Sequence, residues 1–180
     1  MNTKTNPKQK DLHQFFDYID GELVWKSRLS KRFNTAFSGK PAGCLRKDQG
    51  YVYIRFMQKQ YLAHRLIYAW HCDQEFDDKQ IDHIDGNKSN NRIENLRLAN
   101  PIENANNRGK QKNNSVGFKG VTDNKRAKKY QAQIHSLGRT KYLGIFDSSL
   151  DAYAAYMNAA IKEHGNFVHN SINAMNGGRE

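Results

Sequence analysis

Ten consecutive residues, Asn106 to Ser115, contain no hydrophobic side chain. A stretch with nothing to bury cannot run through a packed core, so it lies outside one, as a linker. It divides the 180-residue chain into two parts, each of which must close a core of its own. The hydrophobic share of 37% agrees with this, being low for one large core and adequate for small modules. The organisation expected is a disordered polar terminus over 1–10, a first module over 11–107, a basic linker over 108–116, a second module over 117–170 and a tail over 171–180.

The formal net charge of +11 points to polyanionic partners. A membrane surface is the poorer candidate. No apolar run approaches the roughly 20 residues of a spanning helix, and the opening MNTKTNPKQKD has no signal-peptide apolar region. The expectation is a soluble, intracellular protein whose partner is nucleic acid and not a membrane. Cys44 and Cys72 are far apart and form no CxxC pair, so no zinc site is expected from them.

In the first module the pattern predicts a short helix over Leu12–Tyr18, a turn at Asp20-Gly21 and a strand over Leu23–Trp25. A basic loop follows from Ser27 to Gly43. Alternation over Tyr51–Phe56 predicts a strand, residues 57–60 a turn, and the spacing of Leu66, Ile67 and Trp70 an amphipathic helix over 64–70. In the second module, strands are expected at Phe118–Thr122, Tyr130–His135 and Lys141–Phe146. A helix follows from Ser149 to His164, stopped by Gly165. The fold class is α+β.

The chemistry concentrates between Ile81 and Asn104. Ile81–Ile84 reads as a short strand, Asp85–Arg92 as a polar loop, Leu96–Leu98 as a returning strand, and Asn100-Pro101 as a helix start with Glu103 completing a box-like cap. Metal-assisted phosphodiester hydrolysis needs an activated water, a Lewis acid and a group that holds the base. Asp82 and Asn104 offer oxygen ligands, of the kind that suits Mg²⁺ or Mn²⁺ better than zinc. His83 is the candidate general base, since imidazole titrates near working pH. Asn95 is placed to accept from its other ring nitrogen and fix the tautomer. Asp85 reads as a turn former, His64 as a supporting residue and His71 as a helix C-terminal residue.

Asp82-His83, Asn95 and Asn104, with Asn-Arg-Ile-Glu-Asn-Leu-Arg between, resemble the ββα-metal motif of HNH endonucleases, above all the phage and intron-borne homing type. The resemblance implies that Asp82 and Asn104 bind a divalent metal, His83 activates water and Asn95 orients His83. Asn104 stands where the HNH letters have His, a variation of the homing subgroup that favours Mg²⁺.

Between residues 105 and 148 there are ten Lys or Arg and two acidic residues. Gln131, Gln133 and His135 alternate with inward Ala132 and Ile134, a face fit for base edges and phosphates. Gly117 to Asp147, with its Tyr-Leu-Gly turn, and the alanine-rich helix after it resemble the APETALA-type (ethylene-response-factor) DNA-binding domain. The resemblance implies a three-stranded antiparallel sheet packed on one helix and laid in the major groove. Carried over by position, the reading face is Lys119, Thr122, Asn124, Gln133, His135, Thr140 and Tyr142, with Arg108, Lys110, Lys112 and Arg126 as further DNA contacts.

Together with the two resemblances, these readings predict a Mg²⁺-dependent endonuclease of double-stranded DNA, cytoplasmic in a bacterium or a phage-infected cell, freestanding and of homing or phage origin, that nicks or cuts both strands as a monomer or homodimer. The alternative is a non-catalytic DNA-binding regulator built on a relic of the same fold.

Overall fold

Two positive-φ residues in succession, Asp20 (φ 47°) and Gly21 (φ 90°), make the tight reversal that lets Phe16–Ile19 (β1) pair antiparallel with Glu22–Trp25 (β2). The computed structural model describes residues 6–74, 76, 78–111, 113–136 and 138–168. Lys112, the first five residues and the tail expected over 171–180 lie outside the described residues. The chain forms two compact units, 1–101 and 102–180.

In the first unit, helix α1 spans Gln9–Phe15, so the disorder expected through residue 10 does not hold for Gln9 and Lys10. Gln9 Nε2 donates to the Trp70 carbonyl at 3.0 Å. The expected helix over 12–18 is displaced because Leu12 and Phe16, both fully buried, are reached by a helix that ends at Phe15 and a strand that starts at Phe16. The basic stretch after Trp25 is not all loop. Ser30 caps a short helix, α2 (Lys31–Phe37), accepting from the Phe33 amide at 3.3 Å.

Cys44–Arg46 (β3), Tyr51–Phe56 (β4) and Lys59–Leu62 (β5) form an antiparallel sheet in the order β3-β4-β5. The turn expected over 57–60 narrows to Met57 and Gln58, both at positive φ. Helix α3 (Ala63–His71) follows at once and buries Ala63, His64, Leu66, Ile67 and Ala69. Its apolar side shares one core with Leu12, Phe16, Leu23, Ile54 and Phe56, and with Ile81 and Leu96 of the next hairpin. Burial of this set is the main stabilisation of the unit, at roughly 25 cal/mol per Å² of apolar surface removed from water. The hairpin itself is Gln80–His83 (β6) antiparallel to Leu96–Ala99 (β7), and helix α4, Pro101–Asn106, begins at the expected proline.

The units divide between Pro101 and Ile102, earlier than the linker read over 108–116. The end of α4 is tied to the second unit: the Asn106 side chain meets His164 Nδ1 at 3.2 Å, and the Asn106 carbonyl accepts from Lys119 Nζ at 2.6 Å. Part of the expected linker is also ordered. Asn114 Nδ2 donates to the Phe118 and Val121 carbonyls (2.7 and 3.1 Å) and its Oδ1 accepts from Gly117 N (3.0 Å). An asparagine can do by side-chain hydrogen bonds what a polar stretch cannot do by burial.

In the second unit, Val121–Asn124 (β8), Lys129–Ser136 (β9) and Arg139–Phe146 (β10) pair antiparallel in the order β10-β9-β8. Strand β8 starts later than expected. Phe118 instead turns into the core and stacks on Tyr153 with centroids 4.7 Å apart. Helix α5 runs over Ser149–His164 and ends at Gly165, φ 55°. Its Ala152, Tyr153, Tyr156 and Ala160 share a core with Val121, Ala132 and Ile134.

Candidate active site

Strand β6 carries Ile81, Asp82 and His83, all buried. The pairing register sets Asp82 opposite Arg97 and His83 opposite Leu96. Cross-strand partners share a face, so Asp82 and Arg97 meet: Arg97 Nε donates to Asp82 Oδ2 at 2.9 Å, with Nη2 2.8 Å from the same oxygen. Their side chains are 6% and 16% exposed, an ion pair well withdrawn from water. The motif-like segment by itself gives Arg97 no role. The register of a two-stranded hairpin was the signal that could have found it.

His83 Nε2 lies 3.0 Å from the side-chain oxygen of Asn91. Both residues are buried, at 5% and 4% exposure. An amide oxygen on Nε2 makes that nitrogen the protonated one and leaves the ring lone pair on Nδ1. The part expected of Asn95 therefore falls to Asn91. Asn95 sits on a 3₁₀ turn, Ile93–Asn95, and works on the loop. Its Nδ2 donates to Asp85 Oδ1 (2.9 Å) and to the Asn90 carbonyl (2.8 Å), and its Oδ1 accepts from the Asp85 amide (3.0 Å). Asp85 is the hub of that loop, also accepting from Asn87 N at 2.8 Å and Asn90 Nδ2 at 2.7 Å. The loop is fastened to β1 where Tyr18 Oη accepts from Ile93 N at 3.0 Å. With several asparagines in one loop, sequence spacing could not tell which one faces the ring.

His64, in the first turn of α3, stands edge-on to His83 with centroids 4.9 Å apart and planes at 83°. Tyr51 lies 5.4 Å from His64 and 6.2 Å from His83. Burial, reinforced by the neighbouring His83 and Arg65, pushes the His64 imidazole down to about 3. It is a neutral wall against His83, the supporting part expected of it. His71 ends α3 with Nδ1 2.9 Å from the Ile67 carbonyl.

Asn104 lies on α4, whose residues from Ile102 onward belong to the second unit. Among the described residues no group of three or more His, Cys, Asp or Glu side chains is arranged to hold a metal ion. The Asp82 carboxylate and the Asn104 carboxamide are each an oxygen donor of the kind that suits a hard, partly hydrated cation, which takes one or two protein oxygens and keeps several waters. A carboxylate offers two oxygens and about four lone-pair positions, so pairing of Asp82 Oδ2 with Arg97 is compatible with a cation on the same group. Cys44 is exposed and Cys72 half-buried.

Residues 61–106 match the HNH endonuclease family model. His64, Asp82, His83, Asn91, Asn95, Arg97 and Asn104 all fall inside that span. The chain is also similar to Protein 3.8 of Escherichia phage T7, 41% identical over 59 residues, which is 33% of this chain and 49% of that protein. The chain thus spans about half the length of the curated relative it matches. No solved structure matches.

The HNH match stops before the sheet of the second unit, where most of the expected DNA contacts lie. On β9, Ala132 and Ile134 are buried, which turns Gln131, Gln133 and His135 to the other face. The register adds Thr122 opposite Gln131, Tyr142 opposite Gln133 and Thr140 opposite His135. His135 Nδ1 lies 3.3 Å from Thr140 Oγ1, and Tyr142 is 58% exposed. These residues therefore share one face. Asn124 ends β8 and Arg126 lies in the β8–β9 turn, with Asn124 Oδ1 accepting from Ala127 N at 3.1 Å. Lys119 departs from the expected reading face: its ammonium is spent on the Asn106 carbonyl, and burial, with Arg108 nearby, pushes it down to about 8. Arg108 and Lys110 are exposed. No helix among the described residues is long and apolar enough to cross a membrane.

Proposed function

We propose that the chain is a metal-dependent DNA endonuclease with its hydrolytic centre on the Asp82–His83 hairpin. The observation that carries this reading is the sealed His83–Asn91 contact inside the HNH-matched segment. A buried imidazole with one nitrogen tied to an amide oxygen has a defined tautomer and a defined direction for its lone pair, which is what a general base requires.

In this reading His83 Nδ1 takes a proton from water as the water oxygen attacks the phosphorus. The bond from phosphorus to the 3′-oxygen breaks, leaving 5′-phosphate and 3′-hydroxyl ends. Asn91 holds the ring through the transfer and His64 keeps water from its edge. Arg97 holds the Asp82 carboxylate in place across the hairpin, and the Asp85–Asn95 network keeps the loop from slipping. A divalent cation held by Asp82 and Asn104, Mg²⁺ by preference with Mn²⁺ as substitute, would supply the Lewis acid for the phosphate.

The second unit would read DNA, in the manner of an APETALA-type sheet, through Thr122, Gln133, His135, Thr140 and Tyr142. Arg108, Lys110 and Arg126 would meet phosphates. The similarity to a protein of Escherichia phage T7 supports a phage origin, and a freestanding enzyme of homing type is the form we propose for it. The second reading, a DNA-binding regulator on an inactive fold, is favoured by one feature: the Arg97–Asp82 pair, which can stand on its own without a cation.

Supercoiled plasmid incubated with the protein and Mg²⁺, with EDTA, and with His83→Ala separates the two. Relaxation or linearisation that needs both the metal and His83 supports the nuclease. Intact plasmid under all conditions, with duplex binding retained, supports the regulator.

A further inference from the structure

A second place in the first unit has the chemistry of a nucleic-acid contact and lies outside the HNH hairpin. Between residues 26 and 60 the chain has nine Lys or Arg and one acidic residue, Asp48. Within this stretch, α2 and the β3-β4-β5 sheet border a cavity of about 600 Å³. Six aromatic rings line it, from Phe15, Trp25, Phe33, Phe37, Tyr53 and Phe56, and Arg28 and Arg55 line it with them. The lining includes no carboxylate. Arg46 sits beside it, its guanidinium 4.6 Å over the Tyr53 ring and 3.2 Å from Gln60 Oε1, both lining residues.

The Arg28 guanidinium is the unusual element. It lies 4.1 Å from the Phe33 centroid, 4.5 Å from Phe15 and 5.0 Å from Trp25. Its Nε is buried with no hydrogen-bond partner among the described residues. The backbone beneath it is held on both sides by Asn34, whose Oδ1 accepts from Arg28 N at 2.7 Å and whose Nδ2 donates to Arg28 O at 2.6 Å. A fixed cation packed among ring faces, with an unsatisfied donor, is completed by an anion attached to a flat group. Phe37 and Met57 at the mouth are 50% and 55% exposed, so the apolar wall is open to an incoming ligand.

We propose that this cavity binds an unpaired nucleotide of a DNA strand, its base stacked on the aromatic wall and its phosphate on the guanidinium groups of the rim. Stacking on aromatic faces beside a basic groove is how proteins hold single strands without reading their sequence. A second copy of the chain is the poorer occupant, since it would bring a further net charge of +11 against an already basic surface. The inference rests on the reading that the protein works on DNA and adds a site that grips a displaced strand near the duplex being cut.

The test uses the full chain with His83→Ala, so that nucleic acid stays intact, titrated with labelled oligothymidine and with an abasic strand of equal length. Tight binding of oligothymidine is expected, with a fall in tryptophan fluorescence. The abasic strand should bind roughly tenfold more weakly, the lower range for one lost stacking contact. Phe37→Ala, at an exposed position that a folded chain tolerates, should weaken oligothymidine by a similar factor. Trp25→Phe should keep the affinity and lose most of the fluorescence change. Equal binding of the abasic strand, or unchanged affinity in Phe37→Ala, overturns the proposal. So does a Phe37→Ala effect confined to self-association, which would make the occupant a second copy. Plasmid cleavage by the parent chain is scored separately. Cleavage without oligothymidine stacking sinks this site alone, and stacking without cleavage sinks the nuclease alone.

Discussion

His83 Nε2 and Asn91 Oδ1 stand 3.0 Å apart in a pocket that leaves each residue at most 5% exposed. The hydrogen bond selects one tautomer of a buried imidazole, and it comes from a loop residue eight positions along the chain. Asn91→Ala is therefore expected to lower the cleavage rate by roughly 10–100-fold, the usual cost of losing a group that orients a functional histidine. Asn91→Asp, which keeps an acceptor on Nε2, should recover much of it. The comparison is made on kcat for plasmid relaxation, with KM for DNA unchanged in both variants. Equal rates for Asn91→Ala and the parent would remove the positioning role.

The Asp82–Arg97 pair predicts how metal and stability are linked. Arg97→Gln leaves a buried carboxylate without its cation, a change that costs about 3–5 kcal/mol in folded proteins. If Asp82 is a metal ligand, Mg²⁺ should stabilise Arg97→Gln more than it stabilises the parent, because a ligand that binds only the folded state adds to its stability. Asp82→Asn should show no Mg²⁺ response. Thermal unfolding with and without Mg²⁺ measures all three, and a Tm of Arg97→Gln indifferent to Mg²⁺ would sink the ligand assignment.

His64 gives the first unit an acid limit. Its folded value of about 3 lies below the ordinary 6.5, so the unfolded chain takes up a proton that the folded chain refuses. The contribution is fully present above pH 6.5 and is lost as the pH falls towards 3, with a slope of at most about 1.4 kcal/mol per pH unit. Urea unfolding between pH 7 and 4 should show this loss, and His64→Gln should flatten it.

Gly120 sits at φ +75°, where an added Cβ would run into the Tyr156 ring and come within 2.8 Å of the Gln133 carbonyl. Gly120→Ala is expected to destabilise the second unit by more than about 2 kcal/mol, combining left-handed strain with overpacking. Limited proteolysis should then cut the C-terminal half first, while the first unit keeps its resistance.

The outward face of the C-terminal sheet predicts a split between affinity and sequence preference. Gln133→Ala and Tyr142→Ala should each cost about 1–3 kcal/mol on a preferred duplex and little on random duplex, whereas Arg126→Ala should weaken both and reduce the salt slope by about one. Filter binding at two salt concentrations distinguishes them. Uniform loss in all three would mean that the sheet contacts backbone alone.

Much of the architecture was legible from the chain alone. The strand alternation over Tyr51–Phe56, the helix over Ser149–His164 and the Asp82-His83 segment are local patterns, written in side-chain period and in capping residues such as Pro101 and Gly165. What local pattern could not decide was partnership at a distance. Asn90, Asn91 and Asn95 are one residue type in one loop, and only the closed loop, with Asp85 at its hub and Tyr18 fastening it from β1, turns Asn91 and not Asn95 to the ring. Arg97 meets Asp82 through strand register. Lys119 is a surface charge by sequence and a half-buried donor by structure, because the Asn106 carbonyl lies within its reach. Arg28 is a loop cation by sequence and the centre of an aromatic cavity once α2 folds over it. Residue type and period settle which elements form, since those depend on near neighbours. Which polar atom meets which is settled when the cores close, because burial forces each donor and acceptor to find whatever partner the packing brings near.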